Sequence, residues 1–342
     1  MSNAAGTRIL LASRPTGRPT AENFRIEPMP IPTPAEGQVL LRVLFLSLDP
    51  YMRGRMDDRK SYAPPNPLGA VMEGGTVAEV VESRHPDYAP GEVVLSYSGW
   101  QTHALSDGTD LRRLDPDAAP LSTALGVLGM PGFTAWSGLR NIGQPRPGET
   151  LVVAAASGPV GSAVGQIARI NGARAVGVAG GAEKCRFVRD ALGFDACLDH
   201  RAPDFAQQLR ASCPDGIDVY FENVGGAVWD AVFPLLNTFA RVPVCGLVSQ
   251  YNGVPGGTVP GTTDRLPGMM REVLSRSLLI RGFIQREFAA QQPEFREEMA
   301  GWIRNGRVRY REDIVDGLEH APEAFIGLLE GRNFGKLVIR VG

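Results

Sequence analysis

Residues 152–184 read VVAAASGPVGSAVGQIARINGARAVGVAGGAEK, and this stretch decides the fold. It is an apolar strand, a glycine turn, a helix, a second apolar strand and a second glycine turn. In the helix, Val160, Ala163, Val164, Ile167 and Ala168 follow the i, i+3, i+4, i+7, i+8 spacing of a single buried face. Asn171-Gly172 supplies the stop. The spacing Ala156-x-Gly158-x-x-Gly161 is a variant of the dinucleotide fingerprint with alanine first, and it follows a strand and opens a helix as that fingerprint requires. Gly158 lets the backbone approach a pyrophosphate, and Gly161 lets helix and strand pack closely. Pro159 suits the first helical turn, and with Val160 it begins a helix whose free N–H groups and dipole favour an anion. A ligand-free βα turn and an S-adenosylmethionine site are the alternatives that the motif alone leaves open.

Outward from this unit the alternation continues. Helix AEKCRFVRDAL, strand DACLD, helix PDFAQQLRASC, strand GIDVYFENV, helix AVWDAVFPLL and strand ARVPVCGLV succeed one another, and LLIRGFI is expected as the last strand. Alternating strands and helices predict a doubly wound parallel sheet. A glycine- and proline-rich loop is expected over 253–268. Before Gly129 the pattern differs. QVLLRVLFLSL, GGTVAEVVES and GEVVLSYSGW read as strands with prolines at their edges, which predicts a β-barrel or sandwich. The last residues, with VRYREDIV, helix APEAFIGLLEG and strand GKLVIRV, are expected to return to that first domain. The expected division is 1–128, 129–308 and a returning tail, 309–342. A chain of 342 residues is too long for one ordinary core, so more than one domain is also the expectation from length.

Composition excludes more than it selects. Lys and Arg total 35 against 37 Asp and Glu, which gives no electrostatic reason to expect nucleic acid or an anionic membrane as partner. No apolar run spans a bilayer, and the first residues lack the apolar core of a signal peptide, so a cytoplasmic location is expected. The four cysteines (Cys185, Cys197, Cys213, Cys245) form no C-x-x-C pair and the four histidines are scattered, so neither a disulfide framework nor a metal site is expected.

The second turn bears on the choice of cofactor. NAD sites place Asp or Glu at the end of the second strand. Here that strand ends Val178-Ala179-Gly180-Gly181, and a 2′-phosphate fits the gap with Lys184 as counter-charge. Glu183 is the competing ribose ligand, but it lies past the strand end, so NADPH is expected over NADH.

Together SLDPYMRGRM, GVLGMPGFTAWSGL, the 152–184 stretch, LGFDACLD, YFENVGG, CGLVSQYN, LLIRGFI and NFGKLVIRV span nearly the whole chain. In these residues the sequence resembles the zinc-independent medium-chain dehydrogenase/reductases, in the branch of prostaglandin, curcumin and plant double-bond reductases. The resemblance implies a GroES-like catalytic β-barrel with a Rossmann domain, and NADPH-dependent reduction of a carbon–carbon double bond conjugated to a carbonyl. It implies that Gly158 to Gly161 hold the pyrophosphate and Lys184 the 2′-phosphate. Asn223 and the stretch Cys245, Gly246, Leu247 to Tyr251 then line the cofactor. Phe283, Ile284 and Gln285 present backbone to the nicotinamide, Asn333 approaches from the tail, and Thr134 is a further contact. It also implies a homodimer joined by edge strands. The sequence departs from the family in having His200 where a tyrosine is common near the adenosine phosphate, and Gly181 where a serine is common.

Reduction of an enone builds charge on the carbonyl oxygen, and a donor must face it. Without zinc, a phenol or a cofactor hydroxyl has to serve, and Tyr251 and Tyr51 are the candidates. An aromatic wall that moves no proton is the alternative role for each. A quinone reductase on the same fold, or a non-catalytic NADPH-binding sensor, would share every cofactor residue.

Overall fold

A computed structural model describes residues 5–253 and 265–342, in two compact units: Val127–Arg311, and Met1–Gly126 with Glu312–Gly342. In the first of these, helix α1 (Met130–Gly138) precedes strand β1 (Thr150–Ala154), α2 (Pro159–Ile170), β2 (Arg174–Ala179) and α3 (Ala182–Asp190). There follow β3 (Ala196–Asp199), α4 (Phe205–Ser212), β4 (Ile217–Phe221), α5 (Gly226–Val232) and β5 (Leu236–Val244). The unit ends with α6 (Leu266–Ser275), β6 (Leu279–Gly282) and α7 (Gln292–Arg304).

The six strands form one sheet in the order β3-β2-β1-β4-β5-β6, all parallel. The period of two along β1 explains why both faces need helices. Leu151 and Val153 enter one core with Ala163, Val164, Ile167 and Ala168 of α2, while Val152 and Ala154 enter a second core with Leu209, Val228 and Val232. Gly165 lets α2 pack against the ring of Phe194 in the connection before β3; a Cβ there would sit 2.0 Å from Phe194 Cζ. Strand order reverses between β1 and β4, which puts a switch point at their carboxyl ends.

Three elements differ from the sequence expectation. Helix α1 was not anticipated, since Gly129, Gly132 and Gly138 make its segment read as loop. Its glycines answer to packing: a Cβ on Gly132 would meet Val127 O at 1.9 Å and one on Gly138 would meet Phe283 Cζ at 2.6 Å. The expected 253–268 loop is corrected at its end, where α6 starts with Pro267 in its first turn, the one helical place that tolerates proline. Residues 254–264 of that loop lie outside the described residues. Strand β5 begins at Leu236, four residues early, because Phe239 at φ +63° breaks the pattern without ending the strand.

In the other unit, Ala5–Leu11 and Phe24–Pro30 make an antiparallel ribbon. A seven-stranded sheet contains Val39–Ser47, Thr76–Ser83, Val93–Ser96, His103–Ser106 and Arg112–Leu114, and the C-terminal strands Glu312–Asp316 and Lys336–Arg340. The tail is held by Val338↔Ser47 and Ile339↔Leu46 antiparallel pairing. A buried ion pair reinforces it: Lys336 Nζ donates to Asp49 Oδ1 at 2.7 Å and to Leu48 O at 2.8 Å, and Ser47 Oγ donates to the other Asp49 oxygen. Removing one partner of such a pair strands a buried charge. Lys336→Met is expected to destabilise this unit by about 3–5 kcal/mol, read as a lowered urea midpoint. An unchanged midpoint contradicts a stabilising role for the pair.

Candidate cofactor and catalytic sites

Parallel strands bring their carboxyl ends to one edge of the sheet, and most of the residues singled out in the sequence collect there. After β1 the chain turns sharply through Ala155, which is held at φ +53°, with Gly158 N donating to Ala155 O at 2.9 Å. Helix α2 then starts at Pro159. A Cβ on Gly161 would lie 2.3 Å from Ala155 O, so only glycine allows the helix to begin this close to the strand. Pro159 has no N–H, and the N–H groups of Val160 and Gly161 lie in the first turn, where the helix offers them no internal acceptor. The arrangement presents donors and the positive helix end to an anion.

Across the switch point, Asn223 Nδ2 donates to Ala154 O at 2.9 Å and ties the end of β4 to the end of β1. Glu222, a residue the sequence analysis did not single out, organises this corner. It is 1% exposed, and its Oε1 accepts from Tyr220 Oη, Val224 N and Gly225 N at 3.0, 2.7 and 2.9 Å. Its carbonyl accepts from Cys245 N and Gly246 N, which sets the next segment alongside. Oε2 is buried and has no hydrogen-bond partner among the described residues. Burial raises the Glu222 carboxyl above its ordinary range, against the lowering effect of its hydrogen bonds. Burial and the Glu222 carboxylate also push the Cys245 thiol up to about 12, so it stays protonated at neutral pH.

Tyr251 turns back onto this segment. Its Oη lies 3.4 Å from Leu247 N, and a Cβ on Gly246 would come within 3.0 Å of it. After β6, Phe283 N donates to Val244 O and its ring packs edge-on against Phe221, with centroids 6.1 Å apart. Ile284 N is held by Glu287, and Gln285 Oε1 is buried and unpartnered among the described residues. Thr134 is buried, its hydroxyl donating to Met130 O at 2.8 Å within α1.

The second turn is a cluster of cations round a bare backbone. Gly181, at φ +94°, caps α3, and a Cβ there would meet nothing within 4 Å. A Cβ on Gly180 would lie 3.0 Å from His200 Nε2 and 3.2 Å from both Arg201 Nε and Nη2. Lys184 stands in the first turn of α3. Arg201 was missed in the sequence, where the signal was a second basic residue directly after His200. Asp199 shapes the turn, since its Oδ1 accepts from Gly181 N and Arg201 N, each at 3.0 Å. Partial burial, then Arg201 and Lys184, hold the His200 ring below its ordinary pKa, against the opposing pull of Asp199. This rim fits a dianionic phosphate: open space, fixed positive charge and one titratable ring.

Tyr51 and Asn333 belong to the other unit. Tyr51 opens the short helix Tyr51–Arg55, with the Arg55 guanidinium 5.9 Å from its ring centroid. Burial, then the Asp49 and Glu73 carboxylates, push its phenol well above the ordinary tyrosine range. Asn333 Nδ2 donates to Gly335 O in the turn before the last strand. Among the described residues no group of three or more His, Cys, Asp or Glu could hold a metal ion, and no helix is long and apolar enough to cross a membrane.

Residues 7–114 match the family described as the N-terminal domain of oxidoreductase, and residues 159–303 the family described as zinc-binding dehydrogenase. The chain is 59% identical to NADPH-dependent curcumin reductase of Escherichia coli (strain K12), covering 98% of this chain and 96% of that protein. It is 40% identical to prostaglandin reductase 1 of Rattus norvegicus, covering 95% of each. The crystal structure of CurA in complex with NADPH from Vibrio vulnificus superposes with a TM-score of 0.95 at 54% identity, covering 98% of this chain and 99% of that one.

The raised carboxyl of Glu222 has a pH signature. A folded-state pKa above the unfolded one makes ionisation costly in the fold, so the native protein loses stability as pH rises from about 4.5 through the folded value. Glu222→Gln keeps the accepting oxygen and removes the charge. Its melting temperature relative to the native protein is expected to climb over that window and then level off, each unit of pKa displacement being about 1.4 kcal/mol. A pH-independent difference in thermal unfolding contradicts this.

Proposed function

The chain belongs to the zinc-independent medium-chain dehydrogenase/reductases, in the branch of the curcumin and prostaglandin reductases, and on that footing we propose that it is an NADPH-dependent oxidoreductase that reduces the carbon–carbon double bond of α,β-unsaturated ketones and aldehydes. The observation that carries the cofactor half is the rim of Lys184, Arg201 and the titratable His200 beside the open space at Gly181. In this reading Gly158, Val160 and Gly161 hold the pyrophosphate. The rim holds the 2′-phosphate. Asn223, Cys245, Gly246 and Leu247 line the dinucleotide, with Phe283, Ile284, Gln285, Thr134 and Asn333 assigned to the nicotinamide end. When bound, NADPH supplies the hydride, which the substrate accepts at its β-carbon.

The remaining work falls to the chain. Negative charge gathers on the carbonyl oxygen, and a hydrogen-bond donor facing it lowers the barrier. Tyr251 and Tyr51 are the proposed donors. Burial, with the Asp49 and Glu73 carboxylates second, raises the Tyr51 phenol and keeps it protonated at neutral pH, as a donor requires. A proton delivered to the α-carbon completes the saturated product. The test is steady NADPH oxidation with trans-2-nonenal, 3-nonen-2-one and simple quinones. Turnover of the enal and enone with loss of their conjugated absorbance is expected, and Tyr251→Phe is expected to slow it about 10- to 1,000-fold. Preference for quinones, or NADPH binding without turnover, contradicts the proposal.

Discrimination between cofactors should follow the rim. Lys184→Ala and Arg201→Ala are each expected to lower the preference for NADPH over NADH at every pH. His200 starts below its ordinary pKa, and an adjacent phosphate raises it, so NADPH binding takes up a proton. Affinity for NADPH, but not for NADH, therefore strengthens as pH falls from about 8 toward 6.5, and His200→Tyr removes the slope. Dissociation constants by fluorescence decide it. A flat NADPH/NADH ratio across that range contradicts the role of His200, and a ratio untouched in both cation variants contradicts the placing of the phosphate.

We also propose a homodimer. Among the described residues strand β6 has a neighbour on one side only; its own Leu279 is 47% exposed, and Leu274 of α6 and Phe239 of β5 are 82% and 68% exposed. Light scattering at micromolar concentration is expected to give twice the chain mass, and a monomer mass contradicts it.

A further inference from the structure

In the unit that contains Met1–Gly126, one arginine joins three segments and meets two phenol rings. Arg55 ends the short helix that Tyr51 opens, so the two side chains stand four residues apart on one helix face. The Arg55 guanidinium carbon lies 5.9 Å from the Tyr51 ring centroid and 4.3 Å from the Tyr62 ring centroid. The rim of the same group is engaged by oxygens: Nη1 donates to Ala63 O at 2.7 Å, and Nε pairs with Glu73 Oε1 at 3.0 Å. The backbone repeats the connection. Arg55 O accepts from Asn66 N at 2.7 Å, and Asn66 Oδ1 accepts from Glu73 N at 3.2 Å. Arg55 is buried, whereas Tyr62 is exposed.

A buried ion pair is a poor way to gain stability, since well-packed apolar residues of similar volume often do as well. What neither an apolar residue nor a lysine supplies is a flat cation that meets ring faces while its rim donates in fixed directions. We propose that Arg55 is a positioning residue for the Tyr51 phenol, holding that ring, and the Tyr62 ring with it, in the orientation from which the Tyr51 hydroxyl donates to the substrate's carbonyl oxygen. The inference rests on the reading of Tyr51 as a donor. Orientation matters to that role because a donor has to face the place where charge develops, and a displacement of about 1 Å can cost roughly 100-fold in rate. Ala63 and Glu73 lock the guanidinium from the side away from the helix, so its plane cannot follow the Tyr51 ring if that ring turns. Glu73 also neutralises the buried cation.

The test replaces Arg55 by lysine, which keeps the charge and gives up the flat fork. Full-length protein labelled with 3-fluorotyrosine carries seven fluorinated rings, and Tyr51→Phe, Tyr62→Phe and Tyr220→Phe assign three of the fluorine resonances. Arg55→Lys is expected to shift the Tyr51 and Tyr62 resonances and to leave that of Tyr220, in the other unit, in place. Glu73→Gln, which loosens the guanidinium without removing it, is expected to shift the same two by less. Unmoved Tyr51 and Tyr62 resonances, or all seven moving alike, overturn the proposal.

Turnover of 3-nonen-2-one by Arg55→Lys is expected to fall about 10- to 100-fold, with KM and the NADPH dissociation constant changed less than about twofold. In a Tyr51→Phe background the same substitution is expected to cost less than about twofold, because the ring hydroxyl through which Arg55 acts is gone. Equal losses in the two backgrounds overturn the positioning role, since a general structural defect acts whether or not the hydroxyl is present. Native turnover in Tyr51→Phe alone overturns the donor reading instead, and the fluorine resonances still decide whether Arg55 holds the ring.

Discussion

The close approach of α2 to the end of β1 is the constraint on which the nucleotide edge depends. The helix can begin where it does because Gly161 has no Cβ to meet Ala155 O at 2.3 Å, and because Ala155 accepts a left-handed backbone conformation. That geometry aims the first turn of α2 along the sheet edge. It also leaves Ala154 O free to accept from Asn223, so that β1 and β4 are tied at the switch point. Glu222 then sets the 222–225 turn and, through its carbonyl, the Cys245–Gly246 segment. One close contact and one buried carboxylate thus place four of the six strand ends, β2 joining through Ala156 N to Val178 O.

The buried carboxylate is a cost that the fold accepts. A carboxyl at 1% exposure with one oxygen unpartnered among the described residues is unfavourable by itself, and three donors to the other oxygen offset it in part. Its return is positional, since an apolar residue there would leave the Val224 and Gly225 N–H groups without an acceptor.

Much of this was legible in the sequence, for physical reasons. The period of 3.6 in residues 160–168 placed α2 to within a residue, and the glycine spacing identified the turn before it. Helices α1 and α6 were hidden because their glycines and proline read as loop. In α1 the glycines are there to admit Val127 O and Phe283, contacts made by residues distant in sequence or outside the helix. Arg201 was invisible as a ligand for a similar reason. Its side chain reaches Gly180 only because β3 lies beside β2, and no local pattern shows which of 35 Lys and Arg residues a strand pairing will gather. Glu222 showed as part of a motif, but its burial and its donors belong to tertiary structure.

We propose that the rim of Lys184, His200 and Arg201 reads a phosphate on the adenosine ribose. Calorimetric titration of the native protein with adenosine 2′,5′-bisphosphate and with adenosine 5′-monophosphate tests it most directly, because the two ligands differ only in that group. The bisphosphate is expected to bind at least about tenfold more tightly, about 1.4 kcal/mol. The difference is expected to shrink as salt screens the rim. Equal affinities for the two ligands would contradict it.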